Sequence, residues 1–478
     1  MRAVRNSRAV GGSVLLRARH GRLTRWRRTA GSVCACVAGC ISAAFAQSPG
    51  AVPSLWERSN LLGNLGGVRP TLADYGVTLG IVETSEVLGN PVGGERQTVI
   101  YEGVTQLSLN VDAGKLLGID DGIFYASAFQ VHGRGLSLNA LDNNINTASG
   151  LESLRGTLLY ELWYEQGFFD YSVKIRFGQL GADQEFLISQ TATLFVNHSF
   201  GWPGLPNADL PASGPASPLA APGARIKWAP KDDVTFLLAA FDGNPAGPGA
   251  GAPQSRDASG TDFRLNDGVL AMAELQYSIN SGDKATGLPG TYKIGGWYNS
   301  DSFADMRLDE AGFSLADPAF RGIPALSHRG DYSVYAIADQ TLWQPDKTRS
   351  INGFARIMGA PGDRNLVSFY ADGGVTGKGL VSGRDNDTAG IGFAFARIGD
   401  AASALDSDTA FYTGRPYAVR GAEKLMEITY QAAIAPWWQV QPSVQFVLSP
   451  GGGVPDPLDA ARRLPDAVIS GLRTTVTF

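Results

Sequence analysis

Between Leu154 and Gly178 one parity of residues carries Arg155, Thr157, Glu161, Trp163 and Glu165, and after a Gly167-Phe168-Phe169-Asp170 turn it carries Lys174 and Arg176. Charges of both signs beside an indole suit the reversible exchange of hydrogen bonds with a passing polar solute. They do not suit bond breaking. The chain has no nucleophile elbow, phosphate loop or paired-carboxylate pattern, so no enzymatic activity is expected. His132, His198 and His328 are scattered and lack metal-site companions, and no metal or cofactor is expected. The acidic run Arg384-Asp385-Asn386-Asp387 reads as a solvated loop rather than a calcium site.

The opposite parity names the element that carries these groups. Leu158, Tyr160, Leu162 and Tyr164 alternate with the polar set, as do Tyr171, Val173, Ile175 and Phe177. A period of two is a strand signal, because successive side chains leave opposite faces. An aromatic-ended apolar face opposite a charged one predicts a hairpin between lipid and a water-filled lumen. One register places Glu161 opposite Arg176 and Trp163 opposite Lys174; a slip of two still sets a carboxylate against a cation.

The same alternation recurs along the chain. Near 76–86, Val77, Leu79 and Ile81 are expected outward, with Thr78 and Glu86 inward. Near 121–134, Ile123, Tyr125, Phe129 and Val131 are expected outward, leaving Gln130, His132 and Arg134 inward. Further segments fall near 98–112, 222–230, 232–242, 268–280, 290–300, 330–343, 348–360, 364–376, 388–398, 420–434, 437–449 and 466–478. With the hairpin these predict an all-β transmembrane antiparallel barrel of 16 strands, with 14 or 18 as alternatives. Periodicity fails over 181–221, which is expected to be a long loop. The last strand puts Val468, Leu472, Val476 and Phe478 on one parity, and a terminal Phe resembles the signal read by the outer-membrane assembly machinery.

Composition agrees with export. Residues 1–46 hold nine arginines and no Asp, Glu or Lys, then a small apolar run closing on Ala44-Phe45-Ala46. That is the pattern of a secretory signal peptide. Cleavage there would remove all three cysteines and leave 31 basic against 45 acidic residues, a net of −14. Such a charge excludes a nucleic-acid footprint. Residues 47–75, with Trp56 and Gly66-Gly67-Val68-Arg69-Pro70, suggest a short helical periplasmic segment before a barrel of 76–478. A periplasmic or secreted β-sandwich is the soluble alternative.

Several blocks resemble the carbohydrate-selective porins (OprB-type). They are Gly66-Gly67-Val68-Arg69, Leu162-Trp163-Tyr164-Glu165-Gln166, Arg176-Phe177-Gly178 with Asp183-Gln184-Glu185-Phe186, and Pro436-Trp437-Trp438-Gln439-Val440-Gln441-Pro442. The resemblance implies a 16-stranded outer-membrane barrel that passes glucose-like sugars through a constriction of charged and aromatic side chains. Arg134 matches a position where the family carries an arginine at that constriction. His132, Glu86, Arg155, Glu161, Glu165, Lys174 and Arg176 are the other candidates, with Trp163 and Trp202 as stacking surfaces. The competing reading has these charges pairing with one another along the wall. A porin for anions or small aromatic acids and an outer-membrane hydrolase are the alternative functions. Sequence leaves open the preferred sugar, the choice between monomer and homotrimer, and which loop enters the lumen.

Overall fold

A computed structural model describes residues 54–141, 145–282 and 285–478. The signal-peptide region lies outside the described residues. Short helical turns at Leu55–Glu57 and Leu65–Gly67 lead into helix α1, Val68–Asp74. The strands follow: β1 (Val77–Val92), β2 (Val99–Asp112), β3 (Gly122–Gly133), β4 (Gly156–Phe168), β5 (Val173–Leu180) and β6 (Ala221–Lys231). Next come β7 (Val234–Asp242), β8 (Val269–Ile279), β9 (Gly290–Asp309), β10 (Ala325–Trp343), β11 (Ser350–Gly359) and β12 (Val367–Lys378). The series ends with β13 (Thr388–Ile398), β14 (Ala422–Ala435), β15 (Trp438–Leu448) and, after a small ribbon of β16 (Pro455–Asp456) and β17 (Asp459–Arg463), β18 (Ala467–Thr477).

Sixteen of these strands form one closed antiparallel barrel in which sequence neighbours pair and β18 returns to β1. Closure gives every strand a hydrogen-bonding partner on both sides, as a wall in lipid requires. Among the described residues no helix is long and apolar enough to cross a membrane. Most outward positions are apolar: on β8, β9 and β13 that face reads Ala271-Ala273-Leu275, Ile294-Gly296-Tyr298 and Ile391-Phe393-Phe395. Connections alternate between short turns at one end and long loops at the other. At the loop end β9 and β10 run to Asp309 and from Ala325, well past the expected limits, and Asp400–Thr413 forms a helix between β13 and β14.

The long segment between β5 and β6 folds into the barrel. Its Phe186, Phe195, Phe200, Trp202 and Leu205 are buried against inward-facing Trp297, Tyr335, Ile337, Phe354, Met358 and Tyr370. Inward faces on that side therefore carry apolar residues among their polar ones where the loop covers them. An irregular backbone inside the lumen must also satisfy its own N–H and C=O groups. Wall charges do this. Glu274 accepts from Leu187 N at 3.1 Å, Asp339 from Thr191 N at 3.1 Å, and Glu427 from Val196 N and Asn197 N at 2.8 and 2.9 Å. Arg356 donates to the carbonyls of Leu187, Ser199 and Phe200 at 2.8–3.0 Å while pairing with Asp372.

Two expectations about facing are corrected. On β3 the inward set is Tyr125, Ser127, Phe129 and Val131, whereas Gln130 and His132 point outward; paired positions on β2 confirm this, since outward Thr105 opposes Gln130 and Gly103 opposes His132. The apolar inward parity is explained by what covers it: Phe129 stacks on Tyr160 at 4.7 Å and both pack with Leu219 and Ala220 of the inserted loop. The hairpin register is also displaced. Phe168 pairs with Val173 around a turn with positive φ at Phe169, Asp170 and Tyr171, so Glu165, not Glu161, opposes Arg176.

Candidate functional site

Strands β4, β5 and β6 place a charged lattice on the inner wall. Arg176 opposes Arg225, and Lys174 opposes Lys227, two like-charged cross-strand pairs. Like charges directly opposite repel unless a counter-charge intervenes. Two glutamates supply it. Glu165 of β4 lies 3.0 Å from Arg176 and 2.6 Å from Arg225, and Glu185 of the inserted loop lies 2.7 Å from Arg176 and 2.5 Å from Arg225. Burial alone would push the Glu185 carboxyl up, but Arg176 and Arg225 outweigh it and hold the group below its ordinary value. The same contacts tie the loop to the wall.

Aromatic groups continue this surface. The Arg176 guanidinium lies 3.7 Å from the centre of the Trp163 ring, and Trp163 stacks on Tyr125 at 4.9 Å. Arg225 is nearly enclosed, with 4% of its side chain exposed, whereas Lys174 and Arg176 keep 19% and 16%. Among the described residues Lys174 has one carboxylate within 4 Å, that of Glu165 at 4.0 Å. Lys227 is half-buried and has no carboxylate within 4 Å among the described residues. The water-facing part of the lattice thus offers two ammonium groups and a guanidinium, beside an indole ring sandwiched between Tyr125 and Arg176.

The structure brings four of the ten expected residues together: Trp163, Glu165, Lys174 and Arg176. Glu161 faces inward but is sealed, with its carboxylate accepting from Gly181 N at 3.1 Å. A β-bulge explains this: Ser127 opposes Glu161 and Ala128 opposes Leu159, leaving Tyr160 as an extra residue that also turns inward and bonds the loop's Asp183. Glu86 is buried and paired with Arg473. Trp202 is 1% exposed in the loop core, its Nε1–H donating to the Ser213 carbonyl at 3.0 Å, so it presents no face to solute. Arg134 follows the end of β3 and stands exposed at the loop end, its own N–H bonded to the Tyr101 carbonyl. Arg155, also exposed there, donates Nε–H to the Gly133 carbonyl at 2.7 Å. His132 points out of the barrel, as described above.

Arg225, Lys227 and Glu185 were missed as site residues. The β6 run Ala224-Arg225-Ile226-Lys227-Trp228 carries the same alternation as β5, and that was the usable signal. Glu185 carries no periodic signal, because its position depends on the loop's path.

A family model described as the carbohydrate-selective porin, OprB family, matches residues 96–478. Porin B of Pseudomonas aeruginosa is 25% identical over 463 residues, covering 91% of this chain and 94% of that protein. The porin QuiX of Acinetobacter baylyi is 23% identical over 440 residues, covering 88% and 94%. The high-pH structure of OprB from Pseudomonas putida superposes with a TM-score of 0.77 at 22% identity, over 89% of this chain and 100% of that one.

Proposed function

The chain belongs to the carbohydrate-selective porin OprB family, and from that premise we propose that it passes glucose-like neutral monosaccharides by passive diffusion into the periplasm. Its place is the bacterial outer membrane. Residues 1–46 are read as the export signal, and the segment that follows, to residue 75, lies on the periplasmic side.

The observation that carries the reading is the ladder Tyr125–Trp163–Arg176 beside Glu165. A pyranose has an apolar face to lie along this aromatic stack and a rim of hydroxyls for donors and acceptors. Partly exposed, partly neutralised charges can replace water on those hydroxyls without holding the sugar too tightly to release it. Trp163→Ala is expected to weaken glucose block of single-channel current by about tenfold, the order of one stacking contact. Arg134→Ala, at the rim, is expected to weaken it less. Recordings with glucose, an amino acid and phosphate test the whole reading: equal passage of all three reduces it to a general pore, and preference for phosphate overturns it.

One observation favours a second substrate class. Lys174 and Lys227 adjoin on neighbouring strands with little carboxylate compensation, which suits a sugar acid or another small carboxylate. If gluconate blocks more strongly than glucose and Lys227→Gln removes the difference, the acidic reading replaces the neutral one.

A further inference from the structure

Three buried oxygens converge where the inserted loop meets the inner wall of β10 and β12. Asp209 Oδ2, Asp331 Oδ2 and Asn365 Oδ1 have no hydrogen-bond partner among the described residues. An acceptor buried without a partner is costly until a proton or a cation reaches it. We propose that these oxygens are the protein ligands of a calcium ion that fastens the loop to the wall.

Each oxygen comes from a different segment. Asp209 ends the short helix Gly204–Asp209 of the inserted loop, and its Oδ1 accepts from Val367 N at the start of β12 at 3.0 Å. Asp331 stands on the inward face of β10 and is fully buried. Asn365 lies in the connection from β11 to β12 and is 1% exposed. Its Nδ2 donates to Asp331 Oδ1 at 2.7 Å, which leaves Oδ1 as the free end of the amide. Asp331 is close enough to Asp209 for their charges to repel. Among the described residues no cation lies within 4 Å of either carboxylate; neighbouring Arg364 is turned to Asp363 and to the Gly330 carbonyl, both at 2.8 Å.

The donor set selects the ion. Two carboxylates and an amide carbonyl are hard oxygen donors with two negative charges between them. Calcium accepts Asp carboxylates and Asn carbonyls in flexible geometry and completes its shell with water, whereas magnesium demands a near-ideal octahedron. Among the described residues no three His, Cys, Asp or Glu side chains form a cage; here the third donor is an amide. The expectation of no metal rested on local motifs, and ligands from three distant segments leave none. Calcium at this point pins the loop helix to β10 and β12, in addition to the anchor of Glu185 on Arg225. The inference is independent of which solute passes.

The test uses the full barrel purified in non-ionic detergent, with calcium or magnesium chloride as the probe. Calcium at about 1 mM, the range of extracellular calcium sites, is expected to raise by several degrees the temperature at which heat-modifiable migration is lost, because an ion bound only to the folded state stabilises it. Magnesium is expected to give a smaller shift. Asp209→Asn and Asp331→Asn should each lose the calcium shift and bind one ion fewer per barrel in equilibrium dialysis with radioactive calcium. Asn365→Asp adds a carboxylate, and is expected to be less stable without calcium yet to bind it about tenfold more tightly, since affinity follows ligand charge. If calcium shifts neither the native barrel nor Asp209→Asn and the two are equally stable, the aspartates share a proton and the proposal falls. A calcium shift that survives both asparagine substitutions overturns it too, as does an Asn365→Asp barrel that is destabilised with no gain in calcium affinity. An equal shift with magnesium overturns the choice of ion.

Discussion

Arg225 shows how much rests on one buried cation. It touches Glu165 and Glu185 at 2.6 and 2.5 Å, and one of those carboxylates belongs to the inserted loop. Removing it leaves both carboxylates to Arg176 and loosens the loop on that side. Hydrogen bonds to charged groups contribute about 1.5–3 kcal/mol, so Arg225→Met is expected to lower barrel stability by that order in urea titrations followed by tryptophan fluorescence. Lys227→Gln, two residues on and without a close carboxylate, is expected to change stability by under about 1 kcal/mol. At this scale the sequence was legible only in part. Charge and alternation located Glu165, Lys174 and Arg176, because polar residues on a barrel strand usually face the lumen. The same rule failed at His132 and Gln130, where the inside is filled by apolar loop residues and the polar parity turns outward.

Among elements, the strands were readable and the loops were not. A strand declares itself by a period of two set by its own backbone, so the segments expected from alternation match the observed ones to within a few residues for most of the barrel. The path of 181–220 depends on distant partners such as Arg356 and Glu427, more than 140 residues away in sequence, which local pattern cannot report. Arg356→Met is expected to free this loop from the β11–β12 wall, raising single-channel conductance severalfold and destabilising the barrel by about 3–5 kcal/mol, because Asp372 loses its partner. A second loop carries a pH response. Glu152, between β3 and β4, accepts from Ser137 N at 2.9 Å and Ser137 Oγ at 2.7 Å. Burial pushes its carboxyl up to about 7; the Ser137 bonds oppose the rise and nearby Glu86 adds to it. A folded-state value above the ordinary 4.5 means the group's contribution is fully present below that value and is lost as pH rises through about 7. Hydrogen exchange at the Ser137 amide is therefore expected to show protection falling between pH 5 and 8 beyond the intrinsic pH effect. Glu152→Gln should flatten that fall.

For the whole molecule, the decisive event is closure. The barrel has no edge only because β18 pairs with β1 from Val82–Thr477 to Val92–Val468. The last residue extends that seam: Phe478 N donates to the Ile81 carbonyl at 2.9 Å, and the Phe478 carbonyl accepts from Arg69 just before the first strand. The last residue and the helical segment before β1 are thereby held together at the short-turn end, with Trp437 nearby donating to the Leu55 carbonyl at 2.8 Å. Deleting Phe478 removes a seam bond and the terminal aromatic together. A single backbone hydrogen bond contributes only about 1 kcal/mol, too little to unfold sixteen paired strands. If Phe478 served closure alone, the deletion would leave the amount of folded barrel in outer-membrane fractions nearly unchanged. If it is also read by the assembly machinery, heat-modifiable barrel in those fractions should fall severalfold, while barrel refolded in detergent keeps its stability to within about 1 kcal/mol. Phe478→Tyr retains the ring and the seam bond and is expected to assemble normally. Arg69→Ala removes the contact to the terminal carbonyl but leaves the aromatic, so it separates the two roles: a loss of stability with normal assembly assigns Arg69 to the seam and Phe478 to recognition.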